Sequence, residues 1–356
     1  MNSRQGKFIA LCVGGAGLAG AAAGWILTPA AFPHAWLAAV TAWVGWPIGC
    51  MGLLLIHALT GGSWGHATRT QLVAGMSTLL LLPLALIPLA IVLPQLYSWL
   101  RPDAATHLAN SFYLNLPAFI ARIIFYLIVW FGLAWSILRA LRRDERESAL
   151  ERIAPVGLIL LAITVTFAAI DTTMSLDPKF SSSVYGLIAI AEMGLLALAV
   201  SIFGVAVGGP SDRRHLCDLG RLLLALLILW AYLDFVQLLI VWESDLPNEA
   251  AWYGVRLKGG WGFAAALVAG IHFALPFFAL LAPWARQSSL AMASVTVLLI
   301  LGEIIRGWWL VAPQSSTSFG FVDVSAMLGI IGIAAALALH APLISWIPTV
   351  ARRDVQ

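Results

Sequence analysis

Residues 184–207 read VYGLIAIAEMGLLALAVSIFGVAV, a run of 24 residues in which Glu192 is the only charged side chain. About 20 predominantly apolar residues are enough for a helix to cross the hydrocarbon core of a bilayer. Backbone N–H and C=O groups in that core must bond within the segment itself, which a helix achieves. The stretch therefore predicts a membrane-spanning helix with one carboxyl group inside it.

The rest of the chain has the same character. Of its 356 residues, 61% are hydrophobic and 10% are charged, whereas a soluble domain carries about 25% charged residues. Ten stretches are long and apolar enough to span a bilayer, which predicts an all-α polytopic integral membrane protein with one transmembrane domain over residues 1–356. The predicted spans are Phe8–Leu27, Ala35–Leu59, Gln71–Leu96, Leu116–Ile137, Ile153–Ile170, Val184–Val207, Leu219–Val241, Trp261–Leu281, Leu290–Val311 and Val324–Trp346.

Basic residues lie mainly in the loops on one side of these spans, the side of the first residue. They are Arg4, Lys7, Arg69, Arg139, Arg142, Arg143, Arg146, Arg152, Arg213, Arg214, Arg221, Arg286, Arg352 and Arg353. The opposite loops hold Arg101, Lys179, Arg256 and Lys258. By the positive-inside rule, both termini are predicted to be cytoplasmic. The net charge of +3 gives no sign of a nucleic-acid-binding surface.

The first span has two interpretations. A lysine followed by an apolar run rich in alanine and glycine is also typical of a signal peptide. The stretch is rather long for that, and Gly20 and Gly24 are spaced to form a face of small residues that packs against another helix. The sequence favours a retained helix.

The cysteines and histidines predict no redox centre in this chain. Cys12, Cys50 and Cys217 are far apart, whereas an iron–sulfur cluster needs about four thiolates. A haem with two histidine ligands would need facing histidines in the core, but His57 and His340 lie toward the ends of their helices. We therefore expect no bound cofactor or metal.

Ionisable residues within the spans are the candidates for function, because such groups are expensive in a bilayer. Glu192 and Asp234 have no basic neighbour in sequence, and a carboxyl group without a cation tends to hold its proton in a low dielectric. Glu303 and Arg306 are three residues apart on one helix and can pair. Such a pair could serve structure alone, without a function in proton transfer. The predicted proton-relay residues are Asp171, Glu192, Asp234, His272, Glu303 and Arg306.

Two further residues are candidates for substrate binding. Arg122 lies in the outer half of the fourth span, one turn before Tyr126, and Tyr185 shares a helical face with Glu192. The loops opposite the first residue contain Trp, Pro and acidic side chains and predict a platform for a partner. These loops are Tyr97–Asn115, Asp171–Ser183 and Trp242–Gly260.

Several strings resemble one known family. The segment Thr166–Gly186, TFAAIDTTMSLDPKFSSSVYG, is similar to the signature between the fifth and sixth helices of the F subunit of bacterial alternative complex III. Five more segments agree in order over most of helices two to nine. They are HALTGGSWG from His57, YLNLPAFIARIIFYLIVW from Tyr113, WAYLDFVQLLIVWESDLPNEAAWY from Trp230, GGWG from Gly259 and WWLVAP from Trp308.

This resemblance implies a polysulfide-reductase-type membrane anchor. Helices 2–5 (about residues 35–170) and helices 6–9 (about residues 184–311) would form two four-helix bundles, with helices 1 and 10 flanking them. The complex of this family oxidises quinol, and its F subunit has no redox centre of its own. Implied partners are a homologous quinol-binding membrane subunit, an extracytoplasmic iron–sulfur subunit and a multihaem cytochrome c, in the bacterial inner membrane.

The residues of the signature transfer only in part. Asp171, Ser175, Asp177 and Tyr185 match it, and Arg122 matches the arginine that follows the Tyr-Leu-Asn string. Asp234 and Glu243 depart from the pattern, and the charged pair Glu303 and Arg306 is reversed in order. Two rivals remain open: a non-catalytic scaffold for redox subunits, and a secondary transporter with helices broken at Gly or Pro in paired positions.

Overall fold

The computed structural model describes residues 3–101, 110–142, 148–208, 212–244, 246–315 and 319–340. The regular elements in these ranges are helices. They are α1 (Ser3–Leu27), α2 (Phe32–Thr60), α3 (Ser63–Ser77), α4 (Leu82–Leu96), α5 (Leu116–Arg142), α6 (Ser148–Thr172), α7 (Tyr185–Val207), α8 (Arg213–Ser244), α9 (Pro247–Arg256), α10 (Gly259–Leu267), α11 (Leu275–Leu281), α12 (Pro283–Gln287), α13 (Ser289–Val311) and α14 (Phe321–His340).

Ten helical segments of the described chain are long and apolar enough to cross a membrane, which confirms the all-α polytopic fold. The tenth predicted span ends at Trp346, and its residues after His340 lie outside the described ranges, as do Arg143, Arg146, Arg352 and Arg353. The observed spans are Arg4–Leu27, Phe32–Thr60, Ser63–Leu96, Leu116–Arg142, Ala149–Leu176, Tyr185–Val207, Arg213–Ser244, Gly259–Leu281, Ser289–Gln314 and Phe321–His340.

Two spans change their helical geometry partway. In the third, a 3₁₀ turn at Thr78–Leu81 joins α3 to α4, and Pro83 lies in the first turn of α4. In the eighth, a π-helix at Val268–Ala274 joins α10 to α11, whose first turn holds Pro276. Proline has no backbone N–H to bond to the preceding turn and is tolerated at a helix start. Each proline therefore begins a new helical segment.

The centre of the molecule is the contact between α2 and α7. A side-chain carbon on Gly49 of α2 would overlap the backbone carbonyl of Met193 on α7, so the two helices cross at close range only because this residue is glycine. Helix α2 also contacts α3, α6, α13 and α14, and α7 contacts α8 and α13. The division into two four-helix bundles stays a prediction.

The first and last described helices pack along each other through glycines. Gly20 of α1 faces Ser325 of α14 and Gly24 faces Val322, which confirms the packing face predicted from their spacing. Gly17 lies where the backbones are closest, since an added side-chain carbon would be 2.7 Å from Gly329 Cα. Small residues allow this approach, which gains dispersion energy along both helices.

Substitution of Gly17 by leucine should therefore destabilise the α1–α14 pair. Overpacking of this kind costs about 1–3 kcal/mol, so the apparent melting temperature of the purified protein in detergent should fall. Gly15→Leu is the control, because nothing lies within 4 Å of a side-chain carbon at that position. Equal melting temperatures for the two variants would contradict the tight interface.

Candidate functional site

Arg306 on α13 joins two carboxylates from neighbouring helices. Its Nε donates to Glu192 Oε1 on α7, and its Nη2 donates to Asp234 Oδ1 on α8 at 2.9 Å. The side chain of Arg306 is 4% exposed, and those of Glu192 and Asp234 are 11% and 36% exposed. The expectation that Glu192 and Asp234 lack a cation is therefore wrong. Their cation is 114 and 72 residues away in sequence.

Glu303 and His272 complete what we call the Arg306 cluster, made of Glu192, Asp234, His272, Glu303 and Arg306. The guanidinium of Arg306 is engaged by the other two carboxylates, and Glu303 Oε2 instead lies 3.8 Å from His272 Nε2. Among the described residues, Glu303 Oε2 and His272 Nδ1 have no hydrogen-bond partner. The cluster thus holds three carboxyl groups, one guanidinium and one imidazole inside the helix bundle.

Local backbone features bring His272 close to α13. His272 lies in the π-helix Val268–Ala274, a geometry that is often found at functional sites. It faces Gly302, where an added side-chain carbon would be 2.8 Å from His272 Cα. The indole of Trp230 covers the His272 ring at 4.4 Å between centroids, and Arg306 Cζ lies 5.1 Å from the centroid of the Trp230 ring, within cation–π range.

Hydrogen-bonded side chains continue from the cluster toward the outer end, meaning the end opposite the first residue. Gln237 lies one turn beyond Asp234 on α8. Its Oε1 accepts from Ser182 Oγ at 2.6 Å, and its Nε2 donates to the Tyr253 hydroxyl oxygen at 3.0 Å. Burial and the nearby charge of Asp234 raise the pKa of Tyr253 to about 12, so its hydroxyl keeps its proton at neutral pH.

Two predicted site residues lie in a different group, which we call the outer clamp: Arg122, Tyr126 and Asp171. Arg122 donates from Nε and Nη2 to the two Asp171 oxygens at 2.8 and 2.9 Å, and the Tyr126 hydroxyl donates to Asp171 Oδ2 at 2.7 Å. The carboxylate is fully buried. This bidentate pair ties α5 to α6.

Tyr185 is separate from the outer clamp. Its hydroxyl donates to Thr173 Oγ1 at 2.8 Å, and its side chain lines the same interior cavity as Glu192, Asp234 and Arg306. The shared helical face predicted for Tyr185 and Glu192 is therefore confirmed. Five of the six predicted relay residues converge in the Arg306 cluster, whereas Asp171 belongs to the outer clamp.

Arg256 is a buried cation that the sequence interpretation treated only as a loop residue. It is fully buried, lies 3.7 Å from the centroid of the Trp252 ring and donates from Nη2 to Leu310 O at 2.7 Å. Burial lowers the pKa of Arg256 to about 10, so it is still charged at neutral pH. The sequence offered a signal for Arg256, because basic residues are rare in the outer loops.

No protein-family model matches the chain, and no curated protein matches it either. The fold and the buried polar cluster define a multi-pass integral membrane protein. The family resemblance rests on the quoted strings alone.

Removing Arg306 alone should cost more stability than removing it together with the two carboxylates that it pairs with. Arg306→Gln leaves buried Glu192 without its cation, which for a buried pair costs about 3–5 kcal/mol, with a smaller part from the more exposed Asp234. Adding Glu192→Gln and Asp234→Asn to that variant should recover much of the loss. Thermal unfolding in detergent measures both.

The control for this series is Arg139→Gln, because Arg139 is exposed on α5. It should leave the melting temperature nearly unchanged. A triple variant that is less stable than Arg306→Gln would show that the cluster is not held by charge compensation.

Proposed function

We propose that this chain is the membrane subunit of a respiratory quinol:electron-acceptor oxidoreductase of the alternative complex III type. In this proposal the Arg306 cluster transfers protons, while partner subunits hold the redox centres. The partners are a homologous quinol-binding membrane subunit, an extracytoplasmic iron–sulfur subunit and a multihaem cytochrome c. The location is the bacterial inner membrane, with both termini cytoplasmic.

The observation that supports proton transfer is the composition of the Arg306 cluster. The cluster contains one guanidinium and three carboxyl groups, and an excess of negative charge is strongly unfavourable in a low dielectric. A cluster that holds an additional proton avoids that cost. Because the carboxyl groups interact, the cluster takes up and releases that proton as a unit. Glu303 is the natural holder, because its Oε2 has no hydrogen-bond partner among the described residues.

The hydrogen-bonded side chains beyond the Arg306 cluster suggest that the proton moves between the cluster and the outer side. Gln237 lies between the Arg306 cluster and the outer loops, where it bonds to Ser182 and Tyr253. Beyond them, Ser181 Oγ donates to Glu249 Oε1 at 3.0 Å. Side-chain amides and hydroxyls can conduct a proton when water completes the gaps between them. We infer that the cluster exchanges protons with the outer side.

The outer loops also support a role in assembly. The Phe180 and Trp252 rings stack at 4.4 Å between centroids, with 15° between their planes. This contact and the Ser181–Glu249 bond join the loop after α6 to helix α9 in one packed unit. A preformed surface of this kind loses little conformational entropy when a partner docks. Part of the first outer loop, residues 102–109, lies outside the described ranges.

Asp171 and Arg122 are given a structural role in this proposal. Both carboxylate oxygens of Asp171 accept hydrogen bonds from donors on α5. We infer that the outer clamp holds α5 on α6 and keeps the outer end of the bundle rigid.

A secondary transporter is the second candidate function. The third and eighth spans both change geometry just before a proline, at Pro83 and Pro276. If the ten observed spans form two halves of five, each of these is the third span of its half, and such corresponding positions are what two repeats require. A scaffold without proton transfer is the remaining alternative.

The proposal predicts which proteins co-purify with the tagged chain from bacterial membranes in mild detergent. An iron–sulfur protein and a c-type cytochrome should co-purify and reduce an acceptor when quinol is added. In the same preparation, Glu303→Gln should stay assembled but lower turnover or coupled proton release about 10- to 100-fold, since glutamine keeps the shape but removes the titratable proton.

Glu243→Gln is the matched control, because Glu243 is exposed at the outer end of α8. It should behave as wild type. A colourless, monodisperse protein that transports a solute in liposomes would refute the complex and favour the transporter. Full turnover and proton release in Glu303→Gln would favour the scaffold without proton transfer.

A further inference from the structure

A groove on the side of the molecule opens from the bilayer onto the Arg306 cluster. This lateral groove lies between α8 and the span made of α10, the π-helix and α11, and its floor reaches Asp234 and Arg306. At its rim, Tyr232 is 62% exposed and Phe235 is 59% exposed. Molecules dissolved in the membrane can therefore reach the groove without passing through the protein.

Asp234 presents a hydrogen-bond acceptor to this groove. Its side chain is 36% exposed, whereas Arg306, with which it pairs, is 4% exposed. A carboxylate that faces hydrocarbon is costly unless hydrogen-bond donors reach it. Arg306 already supplies the positive charge, so the missing partner is a neutral donor such as a hydroxyl group.

Trp230 places an unused donor on the same floor. Its side chain lines the lateral groove and is 3% exposed, and its indole N–H has no acceptor among the described residues. Buried N–H groups without acceptors are uncommon in folded proteins. The groove thus exposes one acceptor, and a donor without an acceptor lies in the residue beside it.

The walls of the groove are suited to a flat ring. Phe273 and Phe277 stack on each other at 5.3 Å and line the groove with Phe235 and Trp309. Aromatic side chains favour offset stacking or edge contacts with another ring. Ala269, with its small exposed side chain, leaves open space between these walls.

The position of Asp234 along α8 favours a neutral molecule over a phospholipid headgroup. Asp234 precedes Ser244, the outer end of α8, by ten residues, or about 15 Å along the helix axis. Phospholipid headgroups stay in the interfacial region. An uncharged ring with hydroxyl groups can descend to this depth.

We propose that the lateral groove binds a membrane-dissolved hydroquinone and its quinone, and this rests on the proposed function in quinol oxidation. The ring lies between Phe273, Phe277 and Phe235, and a hydroxyl group donates to Asp234. An oxygen on the ring accepts from the indole N–H of Trp230. The isoprenoid tail leaves through the rim into the bilayer. This site is distinct from Arg122 and from the quinol site expected in the homologous subunit.

The test uses the full chain in nanodiscs, without partner subunits, and a photoreactive benzoquinone with an isoprenoid tail. Labelling of peptides from α8 and the π-helix should saturate and should be displaced by unlabelled quinone. Ala269→Trp fills the groove and should lower this labelling about tenfold or more. Ala266→Trp is the matched control, because Ala266 is exposed on α10 but does not line the groove.

A second variant tests the contact with Asp234. Asp234→Asn keeps the shape but replaces the charged acceptor by a neutral amide, which can also donate. Affinity for the hydroquinone, read from quenching of tryptophan fluorescence, should fall about tenfold, because hydrogen bonds to charged groups are the stronger ones. Affinity for the quinone should fall less or not at all. Equal losses for both forms would overturn the assignment of Asp234.

The outcomes separate this site from the proposed function. Equal labelling of the Ala269→Trp and Ala266→Trp variants, or labelling that unlabelled quinone does not displace, means that the groove holds ordinary lipid and overturns the proposal. Groove labelling by a chain that brings no redox partners would keep the site and refute the complex. A working complex whose chain is not labelled in the groove would keep the proposed function and refute the groove as a binding site.

Discussion

A guanidinium inside the membrane is the constraint on which the rest of this structure depends. Moving Arg306 out of water costs several kcal/mol unless carboxylates and hydrogen bonds replace its hydration. Glu192 and Asp234 supply them from two other helices, α7 and α8. The charge therefore fixes the mutual rotation of three helices, because each must turn its one suitable side chain toward the same point.

The backbone around the Arg306 cluster is adapted to this need. Gly302 lets the π-helix approach α13 until His272 lies beside Glu303. The π-helix ends where Pro276 lies in the first turn of a regular helix. The position of this proline in the sequence therefore sets where the π-helix ends. Close packing and ion pairing are thus achieved at the same place, where the π-helix meets α13. The lipid-facing residues of α8 remain exposed.

Apolar stretches predicted the spans well, since bilayer thickness alone sets their length. The glycine face of α1 was also predictable, because Gly20 and Gly24 are close in sequence and on one face. The partner of Glu192 was not, because helical spacing describes one helix and Arg306 lies 114 residues away. Local spacing favoured Glu303 as the partner of Arg306, but competition between helices assigned that cation to Glu192 and Asp234. The outer clamp was missed for the same reason, since Arg122 and Asp171 are on different helices.

The central claim is that the Arg306 cluster holds an exchangeable proton on a carboxyl group. Infrared spectroscopy of the purified protein measures this directly through the carbonyl stretch of a protonated carboxyl group, which shifts in heavy water. The account predicts such a band at neutral pH in the wild type, its loss in Glu303→Gln and its persistence in Glu243→Gln. A wild-type spectrum without that band would mean that all three carboxyl groups of the Arg306 cluster are ionised, and would contradict the account.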